Sequence, residues 1–110
     1  MKLKRTQYSQ YSLNYHLVWI PKYQRRILVG EVAAKLEKYL RETADNNQCE
    51  VVSIKVQPDY AHLFVSAPPR FSPSQLVNLF KGYTSRKLRE DFPDLKKYTL
   101  RSYGTALTTR

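Results

Sequence analysis

Apolar and polar side chains alternate along several short stretches of the chain, and two longer stretches with helical spacing lie between them. Ser12 to Ile20 predicts a strand, with Leu13, Tyr15, Leu17 and Trp19 on one side and Asn14, His16 and Val18 on the other; Pro21 ends the run. Lys22 to Gly30 is a basic connection. Glu31 to about Asn46 predicts a helix whose Val32, Leu36, Tyr39, Leu40 and Thr43 share a face, closed by Asn46-Asn47. Glu50 to Val56 predicts a second strand on the alternation of Val52, Ile54 and Val56, and Pro58-Asp59 predicts a turn. In a third strand, Tyr60 to Ala67, the side chains of Ala61, Leu63 and Val65 face one way and those of Tyr60, His62 and Phe64 the other.

Pro68-Pro69 then breaks the chain, and Ser72-Pro73-Ser74-Gln75 opens a second helix. Ser72 suits the N-cap, Pro73 the first helical position, and Gln75 completes a capping box. Leu76, Leu79, Phe80, Tyr83 and Leu88 form its apolar stripe as far as Phe92-Pro93, and Tyr98 to about Thr108 predicts a fourth strand. The order βαββαβ within one domain, residues 1–110, predicts an α+β, ferredoxin-like sandwich: an antiparallel four-stranded sheet with two helices on one face. The other face of such a sheet is free to bind a partner.

Charge narrows the partner. The 110 residues carry 19 Lys and Arg against 9 Asp and Glu, a formal +10. Residues 1–30 hold Lys2, Lys4, Arg5, Lys22, Arg25 and Arg26 and no acid, and residues 69–110 hold nine bases and three acids, whereas the middle is slightly acidic. If the two ends meet in the fold they make one basic face. Such a face points to nucleic acid, because Lys and Arg displace counterions from phosphates; the plainer reading is a solvated basic surface. The longest apolar run is Leu17-Val18-Trp19-Ile20, too short for a membrane span, and polar residues follow the basic N-terminus, so no signal peptide and no membrane partner are expected. Cys49 is the only cysteine, which excludes an internal disulfide and a multi-cysteine zinc site and suits a reducing, cytoplasmic setting.

Four blocks in order carry a family resemblance: Tyr15-His16-Leu17-Val18-Trp19 with Lys22-Tyr23-Gln24-Arg25-Arg26-Ile27-Leu28; Pro58-Asp59-Tyr60-Ala61-His62-Leu63-Phe64-Val65-Ser66-Ala67-Pro68-Pro69; Ser72-Pro73-Ser74; and Leu79-Phe80-Lys81-Gly82-Tyr83-Thr84-Ser85-Arg86 with Phe92-Pro93. From about Tyr11 to Leu100 the chain resembles the short single-tyrosine HUH transposases, the TnpA-like enzymes of bacterial and archaeal insertion sequences. The resemblance implies a ferredoxin-like homodimer that binds single-stranded DNA hairpins at the element ends. It implies a tyrosine that attacks the scissile phosphate to form a 5′-phosphotyrosine link, and Mg²⁺ or Mn²⁺ held by two motif histidines to polarise that phosphate.

Residues i and i+2 of a strand share a face, so two histidines so spaced can chelate one ion. Here Tyr60 stands where the family has the first histidine and His62 matches the second; His16, on a neighbouring strand of such a sheet, is a further metal candidate. The resemblance implies a nucleophile on a C-terminal helix that would follow residue 110; Tyr98 and Tyr103 both fall in the predicted fourth strand, where packing is the ordinary role, and Tyr103 alone is kept as a residual candidate. Two departures at separate catalytic positions predict a transposase truncated or impaired in strand cleavage and rejoining; the alternative is a non-catalytic single-strand-binding module, acting as a repressor or a dominant-negative relic. An RNA-recognition motif shares the element order, but Asp59-Tyr60-Ala61-His62 lacks its basic residue-glycine opening. For phosphate contact the candidates are Lys22, Arg25 and Arg26 in the first loop and Lys81, Arg86, Lys87 and Arg89 on the second helix; Tyr8, Tyr11, Tyr23 and Tyr83 are candidates for stacking on bases, with packing as their alternative role. Arg86 and Glu90 are spaced for a surface ion pair.

Overall fold

Each predicted element forms, in the predicted order, in a computed structural model that describes residues 13–97 and 100–107, with side chains through residue 95. Strand β1 (Leu13–Pro21) leads into a short 3-10 turn (Lys22–Gln24), helix α1 (Gly30–Asn46), β2 (Glu50–Gln57), β3 (Tyr60–Ala67), helix α2 (Pro73–Asp91), a second 3-10 turn (Pro93–Lys97) and β4 (Leu100–Leu107). The sheet order is β2-β3-β1-β4, with every neighbouring pair antiparallel. Among the described residues no helix is long and apolar enough to cross a membrane.

Period-two alternation in β1 and β3 builds the core. Tyr15, Leu17 and Trp19 of β1 and Ala61, Leu63 and Val65 of β3 are buried against Leu36 and Leu40 of α1 and Leu76, Phe80 and Leu88 of α2. Both helices therefore lie on one face of the sheet, and the side chains between those core positions point to the other. β1 runs one residue past the predicted end: Pro21 is its buried last residue, opposite Leu100 at the start of β4, where a missing N–H is tolerated. β4 is described over Leu100–Leu107; Tyr98, Thr99 and Thr108 of the predicted strand lie outside the described residues.

The predicted alternation of β2 needs correction. A bulge between Val51 and Ser53 inserts one residue and shifts the phase, so that Val51, Ile54 and Val56 pack against the core while Val52 is 60% exposed. β2 is an edge strand, and a bulge with Glu50 and Lys55 on it blunts pairing with another chain.

The two helices are joined by tyrosines. The Tyr39 hydroxyl donates to Asp91, the Tyr83 hydroxyl donates to Glu42 at 2.8 Å, and the two rings meet edge to face with centroids 5.9 Å apart. Lys35 adds an ion pair to Asp91 at 3.8 Å. The hydrogen bond to Asp91 is the main reason the Tyr39 hydroxyl is pushed up to about 12, with burial second. α2 starts on the predicted capping box: Ser72 accepts from the Gln75 N–H at 3.1 Å, and the Gln75 side chain accepts from the Ser72 N–H at 2.8 Å. At the opposite extreme, Trp19 Nε1 and Thr84 Oγ1 are buried and have no hydrogen-bond partner among the described residues.

Two substitutions separate these contributions. Ser72→Ala removes one cap bond and should cost about 1 kcal/mol of unfolding free energy in a denaturant melt. Thr84→Val removes the orphaned hydroxyl at nearly constant shape and should leave stability equal or raise it by up to about 1 kcal/mol.

Candidate nucleic-acid interface

Among the described residues no helix covers the second sheet face, and it carries a cluster of rings. His16 lies opposite Phe64 and His62 opposite Val18 in the β1–β3 register, which makes the two histidines diagonal neighbours. His16 Nε2 and His62 Nδ1 are 2.7 Å apart, so one ring donates its proton and the other accepts. Phe64 meets His16 edge-on at 4.5 Å between centroids, and Tyr60 meets His62 at 4.8 Å. Burial holds the His62 imidazole below its ordinary pKa, and the neighbouring His16 and Lys55, which lies opposite His62 on β2, act in the same direction. His62 is thus kept as a neutral ring. Lys55 is the residue that the sequence pattern does not bring to this site; only the β2–β3 pairing does.

The structure brings together two of the proposed metal-site residues in a way that differs from the arrangement the resemblance implies. His62 turns its Nδ1 towards His16 on the next strand, and the residue two places back, Tyr60, offers a phenol. A neutral phenol is a poor ligand for Mg²⁺ or Mn²⁺ and stands where the resemblance implies a histidine, and the His62 Nδ1 is engaged by His16. Among the described residues no group of three or more His, Cys, Asp or Glu converges. These donors do not fit the family's Mg²⁺ or Mn²⁺ site.

The candidate phosphate contacts divide between two places. Lys22, Arg25 and Arg26 follow β1 at the end of the sheet where β3 begins; Arg25 and Arg26 are exposed and Lys22 half-buried. Lys81, Arg86, Lys87 and Arg89 belong to α2, on the covered side of the sheet, so they do not share the face of His16 and His62. Among the described cations those of the first loop and of α2 therefore lie apart; β1 and β4 lie side by side, and the remaining bases of the two chain ends, Arg70 apart, fall outside the described side chains. Arg86 sits 5.7 Å over the Tyr83 ring and Lys87 5.8 Å over the Tyr39 ring, and Glu90 pairs with Lys87 at 3.7 Å, whereas the spacing suggests Arg86. Lys81 and Arg89 are exposed. Tyr83 is tied to Glu42, a bond that is the first cause of its raised pKa, and it packs between the helices rather than on an open surface. Tyr103 lies in β4 opposite Val18, and Tyr8, Tyr11 and Tyr98 lie outside the described residues.

The first loop has an unusual backbone. Tyr23 (φ 62) and Gln24 (φ 50) are both left-handed although neither is glycine or asparagine. Each such residue costs on the order of 1 kcal/mol. The Tyr23 ring is 76% exposed, with the Lys22 ammonium 5.0 Å from its centroid.

The class is an α+β sandwich with two helices on one sheet face, histidines on the other and a basic loop at the end of the sheet. Comparison with known proteins makes this specific. The chain belongs to the IS200-like transposase family, which it matches over residues 9–105. It is 38% identical over 97 residues to the ISDra2 transposase TnpA of Deinococcus radiodurans, a match covering 88% of this chain and 69% of the relative. It is 30% identical over 101 residues to the transposase for insertion sequence element IS200 of Salmonella typhimurium, covering 91% of this chain and 66% of that relative. The chain thus spans about two thirds of the length of these relatives. Among solved structures, a candidate transposase from Deinococcus radiodurans superposes with a TM-score of 0.81 at 36% identity, covering 91% of this chain and 81% of the other. A REP-associated tyrosine transposase bound to a REP hairpin superposes with a TM-score of 0.66 at 13% identity, covering 94% and 62%, and shares the fold.

The neutral state of His62 has a consequence for stability. Its pKa is lower folded than unfolded, so the unfolded chain binds its proton first as pH falls, and stability drops below about pH 6.5. Denaturant melts at pH 7.5 and pH 5.5 should show a smaller loss for His62→Gln than for the parent chain. An equal loss in both would remove His62 from the pH response.

Proposed function

We propose that this chain binds single-stranded DNA hairpins at the ends of an insertion element, and that its metal-assisted strand cleavage and rejoining are impaired. Family membership over residues 9–105 carries the first half of this reading. The exposed cations of the first loop, at the end of the sheet, support it, as does the hairpin named for the structural neighbour. The second half rests on Tyr60 and on the turning of His62 Nδ1 towards His16. The family's metal, when bound, polarises the scissile phosphate; in this chain Tyr60 and His62 are poorly suited to hold Mg²⁺ or Mn²⁺. A homodimer and a cytoplasmic location go with the family resemblance and belong to the same proposal. Tyr103 is retained only as the candidate to be identified if a covalent product forms.

The deciding experiment mixes purified protein, Mn²⁺ and a labelled single-stranded hairpin from the flanks of its own gene. A mobility shift on a native gel without a protease-sensitive band on a denaturing gel is the expected result. A denaturation-resistant band that protease removes would show a DNA–tyrosine link and overturn the impairment. Replacing Arg25 and Arg26 together with Ala should weaken hairpin binding and reduce the slope of log affinity against log salt by roughly 2, about one for each phosphate no longer neutralised. An unchanged slope would take the loop out of the interface. Tyr60→His should raise Mn²⁺ affinity in a calorimetric titration by about 10-fold or more, since one restored ligand typically matters on that scale.

A further inference from the structure

We propose that Tyr23 is a base-stacking platform: its ring takes one unpaired base of the single-stranded DNA whose phosphates meet the cations on either side of it. The inference rests on the hairpin-binding reading above and adds to it the residue that distinguishes unpaired from paired DNA.

Three observations carry it. First, Tyr23 is 76% exposed, more than Val29, Val52 or Phe64, the other large apolar side chains at the surface among the described residues. A tyrosine serving the fold would bury its ring, as Tyr15 and Tyr39 do. Second, its backbone is left-handed, and so is that of Gln24. The same connection ends at Gly30, with φ +56 and open space where a side chain would stand. Glycine is thus used at one left-handed position of the loop, while an aromatic ring is kept at another despite the strain. Third, the ring is placed among cations: Lys22 holds its ammonium 5.0 Å from the centroid, and Arg25 and Arg26 follow within three residues, both exposed. An aromatic face beside a track of positive charge is what a single strand needs, since every base has a π-face and every linkage a phosphate. A paired base, stacked inside a duplex, cannot reach such a ring.

The loop is also held firmly at both ends. Pro21 is buried, and Leu28 is buried with its N–H donating to Pro58 O at 2.9 Å. The ring is presented from a fixed base, so little conformational freedom is lost when a nucleotide docks on it.

The test uses the full chain and a DNA hairpin with unpaired flanks, one of whose bases is 2-aminopurine, and compares the parent with Tyr23→Ala, Tyr23→Phe and Tyr23→Gly. Stacking predicts that Tyr23→Ala binds about 10-fold or more weakly, the usual loss for one base–aromatic stack, with the salt slope unchanged because every cation that meets a phosphate is kept. Tyr23→Phe should keep the affinity and the quenching of 2-aminopurine fluorescence, and Tyr23→Ala should lose the quenching at the docked position. Tyr23→Gly should melt at or above the parent temperature while binding as weakly as Tyr23→Ala, which separates the ring's role from any role in folding. Undiminished hairpin binding and quenching in Tyr23→Ala would overturn the platform and leave the hairpin-binding reading standing. A fall in salt slope for Tyr23→Ala would also overturn it, in favour of a loop that acts through its charges alone. Absence of any salt-dependent hairpin binding by the parent chain would remove the proposed function, and the platform with it.

Discussion

The pairing of β1 with β3, with Leu17 opposite Leu63, is the constraint from which both core and site follow. A strand's side chains alternate, so a slip of one residue in that register would carry Leu17 and Trp19, or Ala61, Leu63 and Val65, to the uncovered face. Each large apolar side chain moved to solvent loses about 1.5–3 kcal/mol of burial, and several would move together. The same slip would send His16 or His62 into the core. The ring cluster on the open face is therefore fixed by hydrophobic burial on the opposite face. Its 2.7 Å approach of the two imidazoles depends on residues that never touch them.

That constraint also explains how the cations are sorted. α2 must turn Leu76, Phe80, Thr84 and Leu88 to the sheet, which places its lysines and arginines on the helical layer or at its edge. Two of them, Arg86 and Lys87, lie over the tyrosine rings that join the helices, where nearby carboxylates balance their charge. The first loop leaves the sheet at its end and is not bound by that packing. Its cations sit at the end of the sheet. Two basic segments that look alike in composition thus acquire different surroundings from the elements that carry them.

What the sequence makes legible follows the same logic. The faces of β1 and β3, the apolar stripes of both helices and the capping box at Ser72 are all local patterns of fixed period, and each is present in the fold. The approach of His16 to His62 follows from the strand order once the βαββαβ topology is recognised. The face of Val52 is not legible, because a bulge adds a residue to the ladder without any marking glycine or proline. Nor is the role of Tyr83: a tyrosine on a helix reads the same whether it packs on a neighbouring helix or faces solvent, and only the position of Glu42 on α1 decides it. Lys55 near His62 and the left-handed backbone at Tyr23 and Gln24 arise from pairing and loop closure, which no periodicity encodes.

The histidine-bearing face and the first loop are held by different contacts. His62 and Tyr60 belong to β3, whereas the strained loop is anchored by Pro21 of β1 and by the bond from Leu28 to Pro58. Exchanging histidine for tyrosine at position 60 alters the donors available to an ion, but Tyr60 is only half-buried and the core packing on the far side of β3 does not involve it. Strain at Tyr23 and Gln24 persists because burial at both ends of the loop fixes its path more strongly than two unfavourable backbone conformations oppose it. Nothing in the packing of the core or in the loop's two anchors depends on the side chain at position 60.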